Sequence, residues 1–230
     1  MSLAWVAGAT GFVGRALVPA LVGAGVRTIA HVRPDSRDLA SWRERFTTAG
    51  AEVDDAPWEV EALAARFTAL GVTHLCCTIG TTARRARATG VDGDPYQQVD
   101  RRLTEMLVAA ALASTRPRFV LLSSVGADAH ARSAYLRARG QADAAVVASG
   151  LPYRIARPSF ISGPGRDDSR PGERAAAATA GGILAVLGAL GARTTRDRYA
   201  PITPDDLAAA LVRLALDDGP NRIVTAEALR

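Results

Sequence analysis

The stretch "YLRARG", Tyr135 to Gly140, places a tyrosine four positions ahead of an arginine on a segment that reads as a helix. Residues four apart share a helix face, so a phenol and a permanent cation stand side by side. A phenol with an ordinary pKa of ~10 is a poor acid–base catalyst near neutrality, and a cation one helical turn away corrects this by stabilising its phenolate. Ser124 lies eleven residues before Tyr135, at the end of a strand pattern, where its hydroxyl can donate a hydrogen bond to a reacting oxygen. The chemistry that uses such a set is reduction of a carbonyl: hydride addition leaves a developing alkoxide that needs a proton. On spacing alone, an ordinary half-buried tyrosine beside a surface arginine meets the same pattern, so the surroundings must decide.

The first of those surroundings is "VAGATGFVGRAL", Val6 to Leu17. A strand runs into Gly8, Gly11 and Gly14 and then into a helix. The first glycine permits a tight reversal, the second brings the backbone close to a pyrophosphate, and the third lets the helix pack on its strand. The helix N-terminus then favours the anion. The spacing is G-x-x-G-x-x-G, and its placement between strand and helix makes it a dinucleotide turn. The second strand ends in "AHVRPDSR", where a free ribose 2′-hydroxyl meets an acidic residue and a 2′-phosphate meets arginine. Arg33 takes that place, with Arg37 nearby and Asp35 behind Pro34, so NADP(H) is expected in preference to NAD(H).

These residues need a scaffold that brings strand ends together. Strands are expected at Leu3–Ala7, Arg27–Val32, Ala51–Asp54, Thr73–Thr78, Phe119–Ser123 and Tyr153–Ala156, with a final one at Ile223–Thr225. Helices are expected at Phe12–Gly23, Asp38–Ala49, Val60–Leu70, Tyr96–Ala113, Ala134–Ser149 and Leu207–Leu216, the first kinked by Pro19 and the last opened by Thr203, Pro204 and Asp205. Alternating strands and helices predict an α/β, doubly wound Rossmann-like domain with a mostly parallel sheet. Residues 1–156 form the cofactor-binding core, and 157–230 supply substrate-side and C-terminal elements.

Taken in order, "GATGFVG", "CCTIGTT" (Cys76–Thr82), "FVLLSSVGAD" (Phe119–Asp128), "YLRARGQAD" (Tyr135–Asp143), "RPSFISGP" (Arg157–Pro164) and "SRPGE" (Ser169–Glu173) resemble the atypical short-chain dehydrogenases. Within them the chain is most similar to the Tat-interacting-protein-like branch, with NmrA-like and NAD(P)H-binding relatives further off. The resemblance implies that Gly8, Thr10, Gly11, Phe12, Val13 and Gly14 form the diphosphate turn, and that Arg33 meets the adenosine phosphate. It implies that Gly80, Thr81 and Thr82 line the dinucleotide and that Pro158, Phe160 and Ile161 run past the nicotinamide. Ser124 matches the family serine, Tyr135 the tyrosine, and Arg139 falls where the lysine belongs. Asp100, in "QQVDRR", stands where many relatives place an asparagine in the proton path. Arginine keeps the charge but cannot lose a proton, so it can hold a field and ribose hydrogen bonds but cannot relay.

The composition sets the remaining bounds. The 28 basic residues are all arginine, the net charge is +5, and the tight clusters are Ala83–Arg87 and Arg101–Arg102. Such dispersal reads as solvated surface, and no nucleic acid is expected. Cys76 and Cys77 are adjacent in an apolar run, and neighbouring Cα atoms about 3.8 Å apart are too close for a relaxed disulfide. Reduced, buried thiols and no visible signal peptide point to a cytoplasmic protein. His31, His74 and His130 lack metal-ligand spacing, so no metal is expected, and His31 and His74 read as structural. Ala175–Ala192 is uncharged but too rich in Ala and Gly for a membrane span, and reads as a helix over the substrate pocket. The resulting expectation is an NADP(H)-dependent reductase of a carbonyl-type small molecule, as monomer or homodimer. Tyr135 is its proton donor, Ser124 polarises the carbonyl, and Arg139 holds the ribose. The alternative is a catalytically silent NADP(H) sensor that signals through a protein partner. Sugar epimerisation would need a larger substrate region than follows Pro164.

Overall fold

Seven parallel strands form one sheet in the order β3-β2-β1-β4-β5-β6-β7 in a computed structural model that describes residues 2–81, 93–163 and 201–230. The strands are β1 (Leu3–Ala7), β2 (Arg27–His31), β3 (Glu52–Asp54), β4 (His74–Cys77), β5 (Arg118–Leu122), β6 (Tyr153–Arg157) and β7 (Arg222–Thr225). The described α-helices are α1 (Gly14–Gly23), α2 (Leu39–Thr48), α3 (Val60–Leu70), α4 (Arg102–Leu112), α5 (Ala134–Ala148) and α6 (Pro204–Leu216). The strand order reverses between β1 and β4, and in open parallel sheets ligands bind beyond the carboxyl ends of the strands at that reversal.

Both sheet faces are covered, which is why β1 reads as a continuous apolar run and is buried at every position. Ala4, Val6, Ala30, Cys76, Val120, Leu122 and Ala156 point to one face, against Leu17 and Leu21 of α1 and Leu207 and Leu211 of α6. Trp5, Ala7, Ile29, Leu75, Cys77, Phe119 and Leu121 point to the other, against Leu63 and Phe67 of α3, Leu107 of α4 and Val146 of α5. Cys76 and Cys77 therefore lie on opposite faces as free thiols. Burial pushes Cys76 up to about 12, so it stays a thiol.

Helix α1 extends over Pro19, which is exposed. Two local expectations change. The expected helix from Tyr96 begins as a π-helical turn, Tyr96–Arg101, that passes into α4. Helix α6 starts at Pro204, with the Thr203 hydroxyl accepting the Asp206 N–H at 3.1 Å. Both α6 and β7 belong to the sheet and its cover. Thr82, the Ala83–Arg87 cluster, "SRPGE" and Ala175–Ala192 lie outside the described residues. No helix among the described residues is long and apolar enough to cross a membrane.

Candidate active site

The glycine turn leans on the neighbouring strand. Gly8 has φ +76°, and a Cβ there would stand 2.8 Å from the Thr78 carbonyl carbon and 2.9 Å from the Ile79 nitrogen. Only glycine fits that combination of left-handed backbone and close approach. A Cβ at Gly14 would overlap the Gly8 carbonyl oxygen, so α1 starts directly against the turn. The Gly11 N–H donates to the Gly8 oxygen at 2.9 Å, and the first turn of α1 carries no acidic residue. Thr10, Gly11 and Phe12 are half-buried, while Val13 and Gly14 are buried. This cradle of bare backbone at a helix start suits a diphosphate, and the residues present fit a dinucleotide.

Tyr135, Arg139 and Asp143 form one stripe on α5, and Ser133 caps the helix by accepting the Leu136 N–H at 3.5 Å. Tyr135 is half-buried, and its ring meets the Tyr96 ring edge-on at a centroid distance of 5.4 Å. The Arg139 guanidinium carbon lies 5.6 Å from the Tyr135 ring centroid. Arg139 itself is only 5% exposed. Its Nη1 donates to the Leu122 carbonyl and its Nη2 to the Ile79 carbonyl, each at 2.9 Å, joining the ends of β5 and β4. Nη2 also lies 2.8 Å from Asp100 Oδ1, and Asp100 is fully buried. The other Asp100 oxygen accepts the Thr81 N–H at 3.0 Å.

The residues at 100 and 139, which depart separately from the family pattern in the sequence, are thus two halves of one buried ion pair. Burial works against the charge of Arg139, but Asp100 and Tyr135 more than reverse it and raise its pKa. Burial pushes Asp100 above the usual carboxylate range, with Arg139 and the Thr81 N–H pulling it back. Gly80 belongs to the same arrangement: a Cβ there would sit 2.5 Å from Arg139 Nη2, so its missing side chain is the space the guanidinium uses.

The two serines after β5 separate by one residue's alternation. Ser123 is buried, whereas Ser124 is half-buried at the crest, with its hydroxyl donating to the Val125 carbonyl at 3.2 Å. The Val125 N–H donates to the Pro158 carbonyl at 2.8 Å, which ties the serine loop to the segment after β6. In that segment Pro158 is buried, Phe160 is 49% exposed, and Ile161 pairs with Ile202. Arg33 is exposed at the end of β2 and 3.5 Å from the Asp35 carboxylate, and Arg37 is exposed nearby. His130 is exposed, and the described residues contain no cluster of metal-ligating side chains.

Sequence reading missed three members of this region. Asp143 is buried and its Oδ2 accepts from Arg157 Nε at 2.9 Å, fastening α5 to the end of β6. Continuing the four-residue spacing from Tyr135 through Arg139 would have found it. Burial raises the Asp143 pKa, and Ser123 and Arg157 oppose the rise. Gly140 lets the 128–129 backbone cross α5, since a Cβ would overlap the Asp128 carbonyl carbon. Tyr96 has no local signal, because its contact with Tyr135 comes from the π-helical turn.

The model of the NAD(P)H-binding family matches residues 8–218, almost the whole chain. The chain belongs to this NAD(P)H-binding family. It is 30% identical over 186 residues to "Protein TIC 62, chloroplastic" of Oryza sativa subsp. japonica, covering 70% of this chain and 36% of that protein. It is 32% identical over 181 residues to "Protein fmp52, mitochondrial" of Emericella nidulans, covering 76% of this chain and 73% of that protein. The chain thus spans about a third of the rice relative, and both relatives carry organellar names. A putative NAD-dependent epimerase/dehydratase from Bacillus halodurans shares the fold, with TM-score 0.68 at 19% identity over 97% of this chain and 92% of that one. The resemblance to atypical short-chain dehydrogenases is borne out, and the chain has an NAD(P)H-binding fold of the oxidoreductase type.

Proposed function

We propose that this NAD(P)H-binding protein is an NADP(H)-dependent reductase of a carbonyl-type small molecule. The observation that carries the reading is Tyr135, half-buried at the carboxyl edge of the sheet with a permanently charged Arg139 against its ring. The nicotinamide, when bound, supplies the hydride. Gly8 to Gly14 hold the diphosphate on backbone, and the exposed Arg33, with Arg37 behind it, meets the 2′-phosphate. Gly80 and Thr81 flank the dinucleotide, and Pro158, Phe160 and Ile161 border its nicotinamide end. Ser124 donates to the substrate oxygen, and Tyr135 delivers the proton to that oxygen as charge develops. The two free thiols suit a reducing compartment such as the cytoplasm.

The test is a fluorescence titration with NADPH and NADH, followed by a screen of aldehydes and ketones for NADPH oxidation. Wild type and Tyr135→Phe should bind NADPH equally, and Tyr135→Phe should lose at least about a hundredfold in turnover, within the range of a lost general acid. Tight NADPH binding by wild type with no turnover across the screen would favour the sensor instead.

A further inference from the structure

The geometry points to Asp100 as a positioning residue that acts on Tyr135 through Arg139, the two charges forming a fixed, net-neutral unit in place of a mobile cation. The inference rests on the reductase reading of Tyr135 and deepens it. Arg139 cannot release a proton near neutrality, and both of its terminal nitrogens are already held. Nη1 is held by Leu122, and Nη2 by Ile79 and Asp100. A side chain anchored on two strand ends and a fully buried carboxylate does not swing out to ribose. What it offers Tyr135 is a field of constant position.

The size of that field depends on Asp100. A lone buried cation beside a phenol would draw off its proton strongly, whereas a cation paired at 2.8 Å presents a dipole and draws it off less. Asp100 is itself fixed from behind, by the Thr81 N–H at 3.0 Å and by the π-helical turn that carries it inward. Gly80 leaves the room in which the two meet. The proton that Tyr135 gives up is then restored directly from the solvent side, without passage through residue 139.

Phenol titration reads this without any substrate. The ultraviolet difference between the protein and the same protein with Tyr135→Phe isolates the ionisation of Tyr135. Asp100→Asn, which keeps an oxygen for Thr81 but removes the charge, should move the midpoint to lower pH by about one unit, the size of one charge acting at an effective dielectric of ~20. Arg139→Gln should move it to higher pH. The double variant Asp100→Asn/Arg139→Gln buries no unpaired charge and should return to within about half a unit of wild type.

An unmoved midpoint in Asp100→Asn, or shifts of both single variants in one direction, would overturn the proposal. Should Asp100→Asn not fold, the double variant decides alone. A midpoint near wild type supports compensation, and one raised by about a unit or more means that Arg139 acts uncompensated. If no carbonyl is reduced, the reductase reading falls, while the phenol titration still decides the charge unit.

Discussion

Arg139 Nη2 stands 2.8 Å from Asp100 Oδ1, with both side chains withdrawn from solvent and 39 residues apart in sequence. A buried pair of this kind gives little net stability over an apolar pair, because desolvation offsets the attraction. Breaking it is expensive, because one charge is left without a partner. Asp100→Ala is therefore expected to cost about 3–5 kcal/mol, and the Thr81 N–H loses its acceptor as well. Urea unfolding at constant m-value measures the loss. A cost under about 1 kcal/mol would mean that the charge of Arg139 finds another partner.

Gly80→Ala probes the same unit from outside. The added methyl would meet Arg139 Nη2 at 2.5 Å, and the guanidinium is held by two carbonyls and a carboxylate, so it does not yield freely. The expected loss is about 1–3 kcal/mol. It should shrink in an Arg139→Met background, where the obstructing group is gone. Equal losses in the two backgrounds, measured by thermal or urea unfolding, would assign the effect to the loop backbone.

Much of this arrangement was legible beforehand, and the exceptions have physical causes. The glycine turn and the Tyr135–Arg139 neighbourhood follow from local spacing, since each depends on residues within one or two helical turns, and the parallel doubly wound sheet follows from the alternation of strand and helix patterns along the chain. The Asp100–Arg139 contact does not. It needs the crossover that brings the Tyr96 turn against α5 and the π-helical winding that turns Asp100 inward. The Asp143–Arg157 link joins a helix to a strand for the same reason. Ser123 and Ser124 show the other limit: side chains alternate along a strand, so a shift of one residue in the strand end exchanges the buried hydroxyl for the one at the crest.

In the proposed NADP(H) reading, Arg33 is the residue that meets the 2′-phosphate. It is exposed and loosely paired with Asp35 at 3.5 Å, an arrangement from which a phosphate can take it at little cost. Arg33→Ala should weaken NADPH about 10–100-fold, the scale of a charge-assisted hydrogen bond, and leave NADH within about twofold. Asp35→Ala removes the competing carboxylate and should tighten NADPH while leaving NADH unchanged. Parallel fluorescence titrations check both. An equal loss of the two nucleotides in Arg33→Ala, with lower stability, would make Arg33 a structural residue.

His31 sets a pH dependence that is independent of catalysis. The ring is 3% exposed, packed between Trp5 and Trp58, with Nε2 2.8 Å from the Ala56 carbonyl oxygen. Burial lowers its pKa below 6.5, Arg33 adds to the fall, and the Ala56 carbonyl with Asp54 and Asp55 opposes it. His74, half-buried beside Arg118, is lowered in the same way. Between the depressed folded value and 6.5 the unfolded chain binds more protons than the native protein, so stability rises with pH through that window and is lost on acidification. The slope from His31 alone is bounded at about 1.4 kcal/mol per pH unit. The buried carboxyls Asp100 and Asp143 have raised pKa values and act in the opposite sense, from 3.8 up to their folded values. Melting temperature should therefore fall as pH is lowered from 7.5 through 6.5 toward 5.5. In His31→Gln, which keeps a donor for Ala56 but does not titrate, the overall stability is lower and the fall is reduced to the share of His74. A variant that kept the full wild-type slope would assign the whole dependence to His74.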